Sequence, residues 1–108
     1  MTLYGLKTCD TCKKARNALR ESGYSIAYID VREDGVKVAE LARFQCKFGA
    51  DLVNKRSTTW RNLPDAERSR PALQLLSAYP SLMKRPVILA GNDLFLGWSK
   101  SVQSKLGA

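Results

Sequence analysis

An α/β fold is predicted for this chain by three observations. A short apolar segment, Leu3-Tyr4-Gly5-Leu6, runs directly into an alanine- and arginine-rich stretch with helical spacing. A second extended segment, Tyr24 to Val31, follows that helix, and a helix linking two strands over so few residues makes them parallel neighbours. Near the other end, Pro86-Val87-Ile88-Leu89-Ala90 and Leu94-Phe95-Leu96 flank the polar turn Gly91-Asn92-Asp93, which reads as an antiparallel hairpin.

The elements follow in order. Thr2 to Leu6 is the first strand. Cys9 to Glu21 is a helix with Cys12, Ala15 and Leu19 on its inward stripe and Ser22-Gly23 as its stop. Tyr24 to Val31 is the second strand. The helix start then faces the carboxyl edge of the sheet, where open α/β sheets bind ligands. Val36 to Phe48 reads as a helix with Leu41, Phe44 and Phe48 on one stripe and Gly49 as its cap. Asp51 to about Tyr79 is a mixed, largely helical region, whose last helix starts at Pro71, carries Leu73, Leu76 and Tyr79, and stops at Pro80. After the hairpin, Ser99 caps a final helix through Val102 and Leu106. The order β-α-β, helices, β-β-α matches a thioredoxin-like fold with an inserted helical region. The expectation is one domain over residues 1–108, with the insertion at about 36–82. In that arrangement the proline opening the third strand is commonly cis and lies beside the reactive thiol, which makes Pro86 the candidate.

Composition narrows the function. The chain has 108 residues, 44% of them hydrophobic, enough for one modest core. Eighteen Lys and Arg against ten Asp and Glu leave a net charge of +8, which favours anionic partners: nucleic acid, an oxyanion, or an acidic thiol peptide such as glutathione. The basic residues are spread along the chain, without the aromatic and basic motif of an RNA-binding sheet, which argues against direct nucleic-acid binding. No apolar run is long enough for a signal peptide or a membrane span, and a cytoplasmic protein is expected. In that compartment a stable structural disulfide is disfavoured.

The chemistry is carried by Cys9-Asp10-Thr11-Cys12-Lys13-Lys14. A thiol reacts as thiolate, and a helix N-terminus with nearby cations lowers its pKa from ~8.5 into a range of roughly 3.5 to 7.5. Cys9 is the candidate nucleophile, close in sequence to Lys13, Lys14 and Arg16. Cys12 points inward and is either a resolving thiol or a core cysteine. Cys46, following Phe44 on a helix, reads as structural. A metal is not expected, because the chain has no histidine and only three cysteines. The same lack of histidine rules against a cysteine hydrolase, whose thiol is paired with imidazole, and suits a thiolate activated by its surroundings.

Four stretches carry a family resemblance: Leu3-Tyr4-Gly5, Cys9 to Ala15, Asn54-Lys55-Arg56-Ser57-Thr58-Thr59-Trp60-Arg61, and Lys84-Arg85-Pro86-Val87. In this order, over nearly the whole chain, they resemble the arsenate reductase family (ArsC), which also contains the Spx and YffB-like proteins; the Asn54 to Arg61 stretch is most similar to the YffB-like branch. The resemblance implies a thioredoxin-like sheet with Cys9 as the nucleophile and Arg85 beside it, holding an anion and lowering the thiol pKa. In arsenate-reducing members the thiolate attacks arsenate, and glutathione with glutaredoxin resolves the adduct. Two departures bear on substrate. Those members carry arginine where this chain has Asn54, with Arg56 two residues on, and another where this chain has Leu96-Gly97-Trp98. Each charge-assisted bond lost is worth about 1.5 to 3 kcal/mol. They also carry serine at the position of Cys12, whereas Spx regulators, which bind RNA polymerase and sense disulfide stress, have the cysteine pair. The implied function is an arsenate-reductase-like thiol oxidoreductase using glutathione as co-substrate, with Cys9 and Cys12 catalytic and Arg85, Arg56, Asn54 and Pro86 binding substrate. The alternative is an Spx-like redox-sensing regulator that docks on RNA polymerase.

Overall fold

The computed structural model describes residues 1–108, and the chain forms two compact units: residues 1–34 with 85–108, and residues 35–84.

The first unit holds a four-stranded sheet in the order β2-β1-β3-β4. Strand β1 (Thr2–Gly5) pairs in parallel with β2 (Ala27–Asp30), with Leu3 opposite Tyr28 and Gly5 opposite Asp30. It pairs antiparallel with β3 (Val87–Ala90), which pairs antiparallel with β4 (Asp93–Leu96). These are the order and directions of the thioredoxin-like arrangement. The hairpin is tighter than the three-residue turn the sequence implies. Ala90 faces Asp93 in the ladder, so only Gly91 and Asn92 turn, and Gly91 supplies the positive φ of 62° that such a loop needs.

Helix α1 (Asp10–Glu21) packs on this sheet because Cys12, Ala15 and Leu19 recur on one face. All three are fully buried and join Leu3, Ile88, Val102 and Leu106 in one core cluster. Val102 and Leu106 come from α6 (Lys100–Leu106), whose first turn is held by the Ser99 hydroxyl accepting the Val102 N–H at 3.3 Å. Each fully buried leucine here contributes about 1.5–3 kcal/mol. The second strand begins later than the apolar pattern implies, because Tyr24 belongs to the end of α1. Gly23 takes φ 96°, its N–H donates to Arg20 O, and the Tyr24 N–H donates to Leu19 O, closing a Schellman motif.

The second unit contains α2 (Val38–Phe48), a 3-10 turn at Gly49–Leu52, α3 (Thr58–Arg61), α4 (Asp65–Arg68), α5 (Ala72–Ala78) and a 3-10 turn at Pro80–Leu82. Leu41 and Phe44 of α2 are buried as their spacing predicts. In α5 the buried pair is Leu75 and Leu76, and Leu73 is only half-buried, which corrects the expected stripe; Pro71 stands just before the helix and not within its first turn. Pro80 does end α5, but it also opens the following 3-10 turn. An antiparallel bridge between Val53 and Met83 ties the two ends of this region, with the Asn54 N–H donating to Leu82 O (2.8 Å) and the Lys84 N–H to Leu52 O (2.7 Å).

Candidate active site

Cys9 stands at the N-cap of α1, in extended conformation, directly after the loop that leaves β1. Its own N–H donates to Leu6 O at 3.1 Å and its carbonyl accepts the Lys13 N–H. The loop is held from below by Asp30, a 4% exposed carboxylate that accepts the Lys7 N–H at 2.8 Å on one oxygen and the Arg32 and Glu33 N–H groups at 2.8 and 2.9 Å on the other. Burial alone would raise the pKa of Asp30. The three backbone donors and the nearby Lys7 charge lower it further than burial raises it, so the net shift is downward.

Burial also works against ionisation of Cys9, which is half-buried. Three donors outweigh it: the Cys12 N–H, the Cys12 S–H, and the Arg85 side chain, whose charge adds to its hydrogen bond. The Cys9 thiol is therefore held below its ordinary value. Cys12 moves the opposite way. It is fully buried, and burial with the hydrogen bond to the Cys9 thiolate pushes it up to about 12. Ionisation is thus eased at one sulfur, while its neighbour keeps its proton and donates it. The cation responsible is Arg85. Lys13 and Lys14 are exposed, and the Arg16 guanidinium lies 5.4 Å from the centre of the Tyr28 ring, so the lysines near Cys9 in sequence are not its partners.

Arg85 precedes Pro86, and the Arg85–Pro86 peptide is cis. Pro86 is buried, and its carbonyl accepts the Gly97 N–H at 2.8 Å, which fixes the start of β3 against the end of β4. The first unit thus brings Cys9, Cys12, Arg85 and Pro86 together. Asn54 and Arg56 belong to the second unit, where with Asp51, Lys55 and Lys84 they line an open cleft of about 510 Å³. The Asn54 amide oxygen accepts the Arg56 N–H at 3.0 Å and its carbonyl accepts the Ser57 hydroxyl, so its side chain shapes the turn before α3. Ser57 in turn caps α3 by accepting the Trp60 N–H. Trp60 is half-buried with Lys55 and Arg68 near its ring, and Trp98 packs against the core of the first unit. Cys46 is exposed, not packed, which overturns its structural reading.

Three residues of the site escaped sequence reasoning. Gly5 has the clearest signal: period-2 alternation puts it on the same strand face as Leu3, under α1, and its missing side chain leaves room for the Cys12 sulfur. Tyr28 and Asp30 gave none for their hold on this loop, because Leu6 and Lys7 lie 22 and 23 residues away from them. No three His, Cys, Asp or Glu side chains converge, and no helix is long and apolar enough to cross a membrane.

A family model described as "ArsC family" matches residues 4–105. The chain belongs to the ArsC family. This ArsC-family protein is 40% identical over 105 residues to an uncharacterized protein of Haemophilus influenzae, covering 93% of this chain and 92% of that one. Among solved structures it superposes with a TM-score of 0.90 on a protein named YFFB (PA3664), 32% identical, over 99% of this chain and 98% of the other. It also matches an arsenate reductase (ArsC) related protein from Brucella melitensis, 36% identical, with a TM-score of 0.73 over 96% and 90% of the two chains.

Proposed function

We propose that this ArsC-family protein is a glutathione-dependent thiol/disulfide oxidoreductase of a reducing, cytoplasmic compartment. The observation that carries the reading is the pairing of two unlike sulfurs: Cys9, whose ionisation is favoured by the Cys12 N–H and S–H and by Arg85, and Cys12, buried and protonated in contact with it. The Cys9 thiolate attacks one sulfur of a substrate disulfide. The substrate S–S bond breaks, a Cys9 mixed disulfide forms, and the other sulfur leaves as thiolate. Cys12 then attacks Cys9 Sγ, the substrate leaves as a thiol carrying the Cys12 proton, and the Cys9–Cys12 disulfide forms. Two electrons have passed from the dithiol to the substrate, and two glutathione thiols restore the dithiol, leaving as oxidised glutathione. Arg85, the cation beside Cys9, holds the anionic substrate.

A disulfide is favoured over arsenate as the substrate. An oxyanion needs several convergent charged donors, whereas Arg85 is the cation that acts on Cys9 and the Cys12 thiol offers an internal resolving group. Turnover of a mixed glutathione disulfide with glutathione as reductant is expected to vanish in C9S and persist in C46S. Activity surviving in C9S, or absent in wild type, sinks the enzyme reading and leaves the redox-regulated docking protein to be tested by capture of RNA polymerase.

A further inference from the structure

Resting on the proposed oxidoreductase reading, we propose that Tyr28 is a positioning residue for the resolving step: its hydroxyl orders the loop into Cys9 and turns to donate a hydrogen bond to the Cys12 sulfur as that sulfur becomes the attacking thiolate.

The geometry converges on the peptide unit of Leu6. The Tyr28 hydroxyl donates to Leu6 O at 2.5 Å, and the same carbonyl accepts the Cys9 N–H at 3.1 Å. The Leu6 N–H hydrogen-bonds the Cys12 sulfur. One residue thus links the phenol to the Cys9 backbone and to the Cys12 sulfur. The space between them is shared as well. A Cβ built on Gly5 would lie 2.6 Å from Cys12 Sγ and 3.2 Å from Tyr28 Oη, so sulfur and phenol oxygen both border the notch that Gly5 leaves.

The chemistry needs such a group. Cys12 must shed its proton to attack Cys9 once Cys9 carries a substrate sulfur, and its burial opposes the charge. The titratable and charged groups facing it are Cys9, Arg85 and Tyr28, with Arg16 over the outer face of the Tyr28 ring. There is no imidazole in the chain. In the mixed disulfide Cys9 no longer carries charge, so the Tyr28 O–H and the Leu6 N–H are the neutral donors left to receive the negative charge growing on Cys12. The proton itself leaves with the departing glutathione: Cys12–SH and the Cys9–glutathione disulfide become the Cys9–Cys12 disulfide and free glutathione, with atoms and electrons balanced.

The test uses the full chain in a C46S background, reduced, then mixed with oxidised glutathione, quenched by acid at intervals and weighed by mass spectrometry. Uptake of one glutathione reports Cys9; its loss with formation of the internal disulfide reports Cys12. In Y28F, which keeps the ring beneath Arg16, the second step is expected to slow by roughly tenfold or more, as for loss of a hydrogen bond to a charged group, with its pH midpoint moved upward. Uptake at Cys9 slows by less. Tyr28→Leu, which also loses the ring, is expected to resemble Y28F in the second step; if Y28L is slow while Y28F matches wild type, Tyr28 only packs and the proposal fails. A wild-type protein that takes up glutathione but never links Cys12 overturns the resolving role itself. Normal linking in wild type and Y28F alike overturns Tyr28 alone.

Discussion

A methyl group added at Gly5 would point at the least yielding part of the site. Its carbon would lie 2.6 Å from Cys12 Sγ, 3.0 Å from Cys12 Cβ and 3.2 Å from Tyr28 Oη. Cys12 is anchored in α1 and fully buried, so neither atom of its side chain can swing into solvent. Two effects compete in Gly5→Ala. Restricting the unfolded chain favours alanine by about 0.5–1 kcal/mol, while overpacking a filled core costs roughly 1–3 kcal/mol. The clash wins, and a net loss of about 1–2 kcal/mol is expected. Removing the sulfur tests the cause. In a Cys12→Ala background the 2.6 Å contact vanishes and only the 3.0 and 3.2 Å contacts remain, so the same Gly5→Ala change falls to near zero. Urea unfolding of the four proteins of this cycle, with equal slopes, gives a coupling of at least ~1 kcal/mol between positions 5 and 12. Equal cost in both backgrounds, or no cost in either, refutes the account of Gly5 as room for the thiol.

Arg85→Leu removes the cation at Cys9, and the Cys9 alkylation midpoint is expected to rise toward that of a free thiol. Because Cys9 is only half-buried, screening limits the fall in alkylation rate at pH 7 to roughly three- to tenfold; an unchanged rate contradicts the assignment. Asp30→Asn leaves one acceptor for three backbone N–H groups and turns an amide N–H₂ toward the rest, at a cost of about 2 kcal/mol in the free energy of urea unfolding. The pH dependence follows from the lowered pKa of Asp30: the unfolded state binds the proton first, so this stability is fully present above about pH 4–5 and is lost as pH falls through the folded value. Wild type is therefore expected to lose more stability than D30N between pH 5 and 2, and parallel curves contradict it.

Much of the first unit is legible in the chain because its signals are local and complete. Cys12, Ala15 and Leu19 span two helical turns, Ser22-Gly23 is a stop followed by the Tyr24 closure, and Gly91-Asn92 joins two apolar runs. The segment from Asp51 to Tyr79 is harder to read, since α3 and α4 have four residues each, just over one turn, and no hydrophobic period develops. Their ends are set by Ser57 and by Pro64, residues that turns use equally. At the site, Cys9 and the Arg85–Pro86 pair announce themselves by type and position. The partners do not. The lysines beside Cys9 in sequence point to solvent while Arg85 arrives from 76 positions along the chain, and Asp30 and Tyr28 act on backbone groups whose identity no side-chain pattern records.

The central claim is the division of labour between two sulfurs, and the pH dependence of alkylation in the reduced C46S protein measures it most directly. Cys9 is expected to react with a midpoint below the ~8.5 of a free thiol, while Cys12, buried and pushed up to about 12, stays unmodified until the chain unfolds. Cys9 titrating as a free thiol, or Cys12 reacting alongside it in the folded protein, would contradict the account.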